Sequence, residues 1–362
     1  MQRILVIRID FLGDMICTTA FLHALKQRWP SAEIHVLANK YNQTALARNP
    51  DVSAVHTYVY SKQCDRNQQP GRLKGLLDRL ALIWQLRRLR FDLLVIPNGG
   101  MNKNSIQFAK QLNVVDSRWH TPASEFDDRN SDHVVNRPIR HEALSGFTLM
   151  PELNSVDINT LKLYIYPDPE LQVKWQTELG EKKRPRVGFF VSNKAAQRRW
   201  SWEKWQQLAL KLSDQADVII LYDPQEPPSE QQLAGIAGRP LFTPSVDEFV
   251  AAASQLDVVI SADSAPVHIS SALQIPVVAL FESRPEKYLR WYPLTRHILL
   301  HAGPQVEDIT VDAVETAART LLDKNKIAKM GVIDAVSLDA ASAQNRSVHT
   351  VREDCEHRPS SK

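Results

Sequence analysis

Residues 3–14 read Arg3-Ile4-Leu5-Val6-Ile7-Arg8-Ile9-Asp10-Phe11-Leu12-Gly13-Asp14. Positions 3–9 are β-branched and apolar on both faces, the pattern of a strand covered by helices on either side of a parallel sheet. From residue 14 to 29 the apolar positions Ile16, Ala20, Leu22 and Leu25 follow a helical rhythm. A strand, a tight turn holding one glycine, and a helix make the opening of a parallel α/β unit.

Working outward, residues 33–37 and 92–96 read as further strands, 41–48 as a short helix and 74–89 as an amphipathic helix. Residues 116–160 are polar and irregular, and read as a long loop with short helices. The stretch 167–186 has proline at each end with charge between, which suggests a helix crossing to a second unit. The alternation then restarts, with strands expected at 186–191, 217–221, 257–260 and 276–281. Helices are expected at 202–213, 229–237, 246–255, 264–273 and 311–323. Two α/β halves of this kind suggest two doubly wound domains facing a cleft. From about residue 325 onward the composition cannot bury much apolar surface and predicts a flexible tail.

Composition narrows the class. The chain has 362 residues, 43% hydrophobic and 23% charged, with net charge +3. That mixture excludes wholesale disorder, and the length suits two domains. Cys17, Cys64 and Cys355 are widely spaced, which fits a reducing compartment and argues against a disulfide framework or a cysteine zinc site. The apolar N-terminus is broken by Arg3, Arg8, Asp10 and Asp14, so it reads as neither a signal peptide nor a membrane span. A cytoplasmic location is expected. There are 12 glycines, well below the usual ~7%, so a glycine-rich phosphate loop cannot be assumed. The turn after the first strand holds Gly13 alone, without the GxGxxG of a nicotinamide-dinucleotide site. An NAD-dependent oxidoreductase is therefore disfavoured.

Two strand-end motifs carry candidate chemistry. In the first, Gly13 permits a tight turn or close ligand approach. Asp14 reads either as a helix N-cap or as a cleft carboxylate acting as general base. The second is Asp263-Ser264-Ala265-Pro266-Val267-His268, after the strand Asp257-Val258-Val259-Ile260-Ser261-Ala262. A helix opening there offers free N–H groups and a positive dipole end, suited to a phosphate. His268 reads equally as a satisfied polar residue.

Together with Asn193-Lys194-Ala195-Ala196-Gln197-Arg198-Arg199-Trp200 and the run Ile275-Pro276-Val277-Val278-Ala279-Leu280-Phe281, these motifs resemble glycosyltransferase family 9, the ADP-heptose:lipopolysaccharide heptosyltransferases and their relatives. The resemblance spans about residues 1–324. It implies a GT-B fold, with an acceptor-binding Rossmann-like domain over 1–166 and a nucleotide-sugar-binding one over 167–324. It implies an inverting, metal-independent transfer of heptose from ADP-heptose to a lipopolysaccharide core or related bacterial glycan, with no cofactor. Asp14 matches the catalytic aspartate, with Asp10 as the fallback base. Asn193, Lys194, Arg198, Asp263, Ser264, Ala265 and His268 are implied on the donor side, and Asp10, Gly13, Arg137 and Arg140 on the acceptor side. The sequence departs from the family at two points. Arg198 stands for a lysine, leaving Lys194 as an alternative phosphate partner, and Ala265 stands where glycine is usual. Such changes would also suit a non-catalytic nucleotide-sugar-binding protein, or a different nucleotide-sugar donor.

Residues 62–90 hold eight basic side chains (Lys62, Arg66, Arg72, Lys74, Arg79, Arg87, Arg88, Arg90) against Asp65 and Asp78. This stretch reads either as a solvated helix whose apolar side joins the core, or as a surface for an anionic glycolipid acceptor and the inner membrane. Nucleic acid is disfavoured for want of any DNA- or RNA-binding motif.

Overall fold

A computed structural model describes residues 2–67, 71–124, 126, 139–154 and 156–323. Arg137, Cys355 and the expected tail lie outside the described residues. The first half is a five-stranded sheet in the order β3-β2-β1-β4-β5, with β1 Arg3–Arg8, β2 Glu33–Ala38, β3 Ala54–Thr57, β4 Leu93–Ile96 and β5 Asp116–Trp119. The second is a six-stranded sheet in the order β11-β10-β9-β6-β7-β8. Its strands are β6 Arg186–Phe190, β7 Asp217–Leu221, β8 Arg239–Leu241, β9 Val258–Ala262, β10 Val277–Leu280 and β11 His297–Leu300. Every pairing is parallel. The chain reverses its direction of travel across each sheet between β1 and β4 and between β6 and β9. Ligands of open α/β sheets gather at such switch points, beyond the carboxyl ends of the strands.

The helices are α1 Leu12–Arg28, α2 Arg72–Arg88, α3 Lys103–Leu112, α4 Pro169–Leu179, α5 Trp202–Leu212, α6 Glu230–Ala234, α7 Val246–Ala253, α8 Ala265–Ala272, α9 Pro285–Trp291 and α10 Val311–Leu322. The expected crossing helix is α4. Asp168 caps it, Pro169 opens it, and Gly180 at φ 69° ends it. It packs on α7, and Trp175 Nε1 donates to Glu248 at 2.5 Å.

Helix α1 is buried on nearly all sides, because one face covers the sheet and another meets α8 of the second half. The short helix expected over 41–48 is a 3-10 helix at Asn42–Leu46. The stretch expected to be an irregular loop begins with a strand, β5, whose Asp-Ser-Arg-Trp sequence has no apolar alternation because it is an edge. Helix α2 carries apolar residues on two faces. Its buried residues are Gly75, Arg79, Leu82, Ile83 and Leu86, while Leu73, Leu76, Leu77, Leu80 and Trp84 face outward. Among the described residues no helix is long and apolar enough to cross a membrane.

Candidate active site

The last residue of β1, Arg8, organises the first half of the site. It is 1% exposed, and its Nε donates to Asp10 Oδ1 at 2.8 Å. Nη2 reaches Asp14 Oδ1 at 2.7 Å and Glu142 Oε1 at 2.9 Å, and Nη1 donates to the Pro97 carbonyl at the end of β4. Asn39 Nδ2 donates to the carbonyls of Ile9 and Asp10 at 3.0 and 2.6 Å, and Asn42 Nδ2 to that of Arg8 at 3.0 Å. These amides fix the turn that carries both aspartates.

Glu142 is completed from the second half. Arg290 of α9 donates to Glu142 Oε2 from Nε at 2.9 Å and lies 2.8 Å from it through Nη2. The Gly99 N–H also reaches Oε1, at 2.9 Å. Two guanidiniums and three carboxylates thus share a water-poor space between the sheets. Burial opposes the Glu142 charge, yet Arg290 and Arg8 outweigh it and bring the carboxyl to about 2. Burial pushes Asp10 up to about 7 against the pull of Arg8. It also raises Asp14 above the ordinary aspartate range, with the Glu142 charge adding to the rise.

The two aspartates differ in what their oxygens do. Both oxygens of Asp10 accept from side chains, Arg8 Nε and Asn98 Nδ2. Asp14 Oδ2 accepts only the longer Phe11 N–H contact, 3.2 Å, among the bonds to it. The N-cap of α1 is Phe11, and Asp14, the third helical residue, accepts the Phe11 N–H as a capping-box side chain, so it helps close the helix start as well as facing the cleft. A carboxylate with a raised proton affinity, one oxygen of which is held only by a backbone N–H, suits proton abstraction.

Across the cleft, Arg198 lies after β6. Its Nη1 is 3.1 Å from Asp263 Oδ2 and its Nε 3.0 Å from Glu282 Oε1. Asn193 Nδ2 donates to the Asp263 carbonyl at 3.1 Å. Burial raises Asp263, against Arg198, and the Asp14 charge adds to that rise, so the two motifs face one another. Ser264 Oγ donates back to the Ala262 carbonyl at 2.9 Å and does not cap α8. Ala265 sits at the first helical position without a positive φ, so its Cβ imposes no backbone strain. Lys194 is far more exposed than Arg198 and lies 3.7 Å from Asp223.

Two further anticipated residues, Gly13 and His268, meet where α1 crosses α8. Gly13 lies within the first turn of α1, not in the loop, and a Cβ there would sit 2.7 Å from His268 Cδ2. The glycine serves helix packing. His268 is buried against it, with Nδ1 3.5 Å from Cys17 Sγ and the ring 5.8 Å from that of Trp291. Burial brings the imidazole down to about 3, so it is neutral. Arg140 is exposed. Its neighbour His141 is buried with Nε2 2.9 Å from the Tyr292 carbonyl, another bridge between the halves. Trp200 and Trp205 are core residues. Sequence reasoning passed over Arg8 as a functional group, and Asn98, Glu142, Glu282 and Arg290 altogether. A glutamate two residues past the apolar strand β10 was a usable signal for Glu282, whereas Glu142 and Arg290 lie in segments with no strand-end pattern. Among the described residues no group of three or more His, Cys, Asp or Glu is arranged to hold a metal ion.

A family model described as glycosyltransferase family 9 (heptosyltransferase) matches residues 79–313. The chain is 22% identical over 354 residues to a lipopolysaccharide heptosyltransferase 3 from Escherichia coli, covering 91% of this chain and 95% of that one. It is 23% identical over 313 residues to a lipooligosaccharide heptosyltransferase 2 from Haemophilus ducreyi, covering 79% and 85%. Its fold matches a family 9 glycosyl transferase from Veillonella parvula with TM-score 0.71 at 19% identity, covering 89% and 97%. It also matches the Escherichia coli heptosyltransferase WaaC with ADP, with TM-score 0.67 at 15% identity, covering 88% and 100%. The two-sheet architecture is thus the GT-B arrangement of these enzymes.

Proposed function

The chain belongs to glycosyltransferase family 9, and from that premise we propose that it transfers heptose from ADP-heptose to a lipopolysaccharide core or related glycan, inverting the anomeric carbon without a metal. The observation that carries the reading is the pairing across one cleft of a carboxylate of raised proton affinity with a helix start that lacks a side-chain cap and has Arg198 beside it. Asp14 takes the acceptor hydroxyl proton as the oxygen attacks the anomeric carbon, and the bond from that carbon to the diphosphate breaks on the opposite face. General-base assistance of this kind contributes roughly 10²–10⁴-fold. Arg8 orients the base, and Glu142 and Arg290 hold Arg8.

Charge appearing on the departing ADP meets Arg198 and the positive dipole end of α8, whose start carries no side-chain cap. Asp263 serves the donor sugar hydroxyls, and Asn193 keeps the Asp263 loop in place. His268, neutral and packed on Gly13, sets the distance between α1 and α8. The acceptor side is the turn from Asp10 to Asp14 with Arg137 and Arg140, and the acceptor is an anionic glycolipid at the cytoplasmic face of the inner membrane, beside residues 62–90. The relaxed backbone at Ala265 removes one of the two departures that suited a non-catalytic protein.

The test is turnover by the purified chain against a panel of nucleotide sugars with a deacylated lipopolysaccharide-core acceptor. ADP-heptose is expected to be consumed with stoichiometric ADP release. Activity confined to another nucleotide sugar overturns the donor assignment, and inactivity with all of them overturns the enzymatic reading.

A further inference from the structure

Helix α2 presents to solvent a face that a helix of a self-contained domain would turn inward. Leu73, Leu77 and Trp84 are 77%, 62% and 62% exposed, and Leu76 and Leu80 lie between them. Their spacing, i, i+3, i+4, i+7 and i+11, makes one continuous stripe along the helix. The helix cannot roll to hide it. The opposite face is pinned by Arg79, whose guanidinium lies 5.1 and 4.9 Å from the Tyr58 and Phe108 rings and donates to Tyr58 and to Gln111. Gly75 closes the other end against Cys64 and Tyr60.

The stripe has basic margins. Arg72, Lys74 and Arg90 are exposed, and the Arg88 guanidinium lies 4.4 Å over the Trp84 ring. Asp78 is the single acidic residue of the helix. An apolar stripe edged by cations, with an indole at the boundary, is the chemistry of a helix lying in the headgroup region of an anionic bilayer. A second protein would need matching acids, and a second copy of this helix would set like charges against each other. Position agrees. Tyr60, which packs on the start of α2, donates its hydroxyl to the Ile9 carbonyl at 2.9 Å, one residue before Asp10. The start of α2 is therefore one residue, Tyr60, away from the segment that leads into Asp10 and the helix carrying the base.

We propose that the Leu73–Trp84 face of α2 inserts into an anionic phospholipid surface and seats the enzyme where a lipid-linked acceptor is presented. The placement of the acceptor rests on the function proposed above; the membrane contact itself does not. The test is co-sedimentation of the purified full chain with phosphatidylcholine vesicles, with and without phosphatidylglycerol, at low and high salt. Binding is expected only with phosphatidylglycerol. Each of R72Q, K74Q and R88Q is expected to weaken it about fivefold at low salt. L77D combined with W84D is expected to lower it at least about tenfold, with an unchanged melting temperature and unchanged transfer to a deacylated acceptor. No binding to anionic vesicles, or equal binding by the L77D/W84D variant, overturns the proposal. So does a parent chain that is dimeric in sedimentation velocity while that variant is monomeric. If parent and variant both fail to transfer sugar, the catalytic reading falls and the vesicle result stands by itself.

Discussion

Replacing Asp14 by asparagine separates the chemistry of the base from its place in the fold. The substitution keeps an oxygen for the 2.7 Å bond from Arg8 and nearly the same volume, while removing the charge and the capacity to take a proton. Loss of a general base is expected to cut kcat by roughly 10²–10⁴-fold, about 3–5 kcal/mol in the barrier. The electrostatic part of stability should move the other way. Burial raises the folded-state pKa of Asp14 above its value of 3.8 in the unfolded chain. The folded protein then holds the proton more tightly, and its stability falls as pH rises above the unfolded pKa. Asparagine escapes that loss. The arrangement left behind, Arg8 and Arg290 with Asp10 and Glu142, is balanced in formal charge. Asparagine also loses the acceptor of the Phe11 N–H, on the order of 1 kcal/mol, so the variant is expected to melt within a few degrees of the parent at neutral pH and further below it in acid. ADP release assays, calorimetric titration with ADP and melting curves across pH read the three effects. Transfer within tenfold of the parent would refute the assignment of the base. A melting temperature many degrees lower at neutral pH would refute the electrostatic account.

Three further outcomes follow from the same geometry. E142Q leaves Arg8 and Arg290 short of a shared carboxylate; losing one partner of a buried pair costs about 3–5 kcal/mol, a fall in melting temperature of roughly 10 °C at ~2–4 °C per kcal/mol. Because the Glu142 charge raises Asp14 and Asp10, E142Q should also move the acid limb of kcat/KM to lower pH; an unmoved limb would mean the residue is only scaffolding. R198A should weaken ADP binding by roughly 10–100-fold, the value of a charged hydrogen bond, with K194A within a few-fold of the parent; the reverse order in calorimetric titration would transfer the role to Lys194. G13A sets a methyl 2.7 Å from His268 Cδ2, an overpacking cost of about 1–3 kcal/mol that exceeds the ~1 kcal/mol gained in helix propensity, and the G13A/H268A double variant should melt higher than the two single effects added together.

The three motifs at residues 8–14, 193–200 and 263–268 were legible because each lies where a strand meets a turn, and there local sequence dictates local shape. Topology then brings those turns together without any further information in the segments themselves. The ion network was not legible. Glu142 comes from a loop in the first half and Arg290 from a short helix in the second, and nothing near either marks its partner. Gly13 was legible as a special position, but a glycine after a strand suits a turn as well as a close helix crossing, and its contact with His268 is visible only in the structure. The leucines of α2 show the limit of periodicity. Both faces of that helix carry apolar residues, and the choice of the inward one follows from Arg79 finding Tyr58 and Phe108. The edge strands β5 and β8 escaped because Asp-Ser-Arg-Trp and Arg-Pro-Leu pair on one side only and need no apolar alternation.

The contact of α1 with α8 has a thermodynamic consequence. One apolar cluster runs without a break from Ile4, Met15 and Phe21 of the first half to Leu221, Phe249, Ile269 and Leu294 of the second. A wide hinge between the halves would have to wet that cluster, so the cleft can change shape only by small sliding of one helix over the other, shear rather than swing. The halves should then lose their structure in a single calorimetric transition, and a peptide ending before the second sheet should not hold the fold of the first. Joining the reaction partners and keeping the chain folded become one cooperative property.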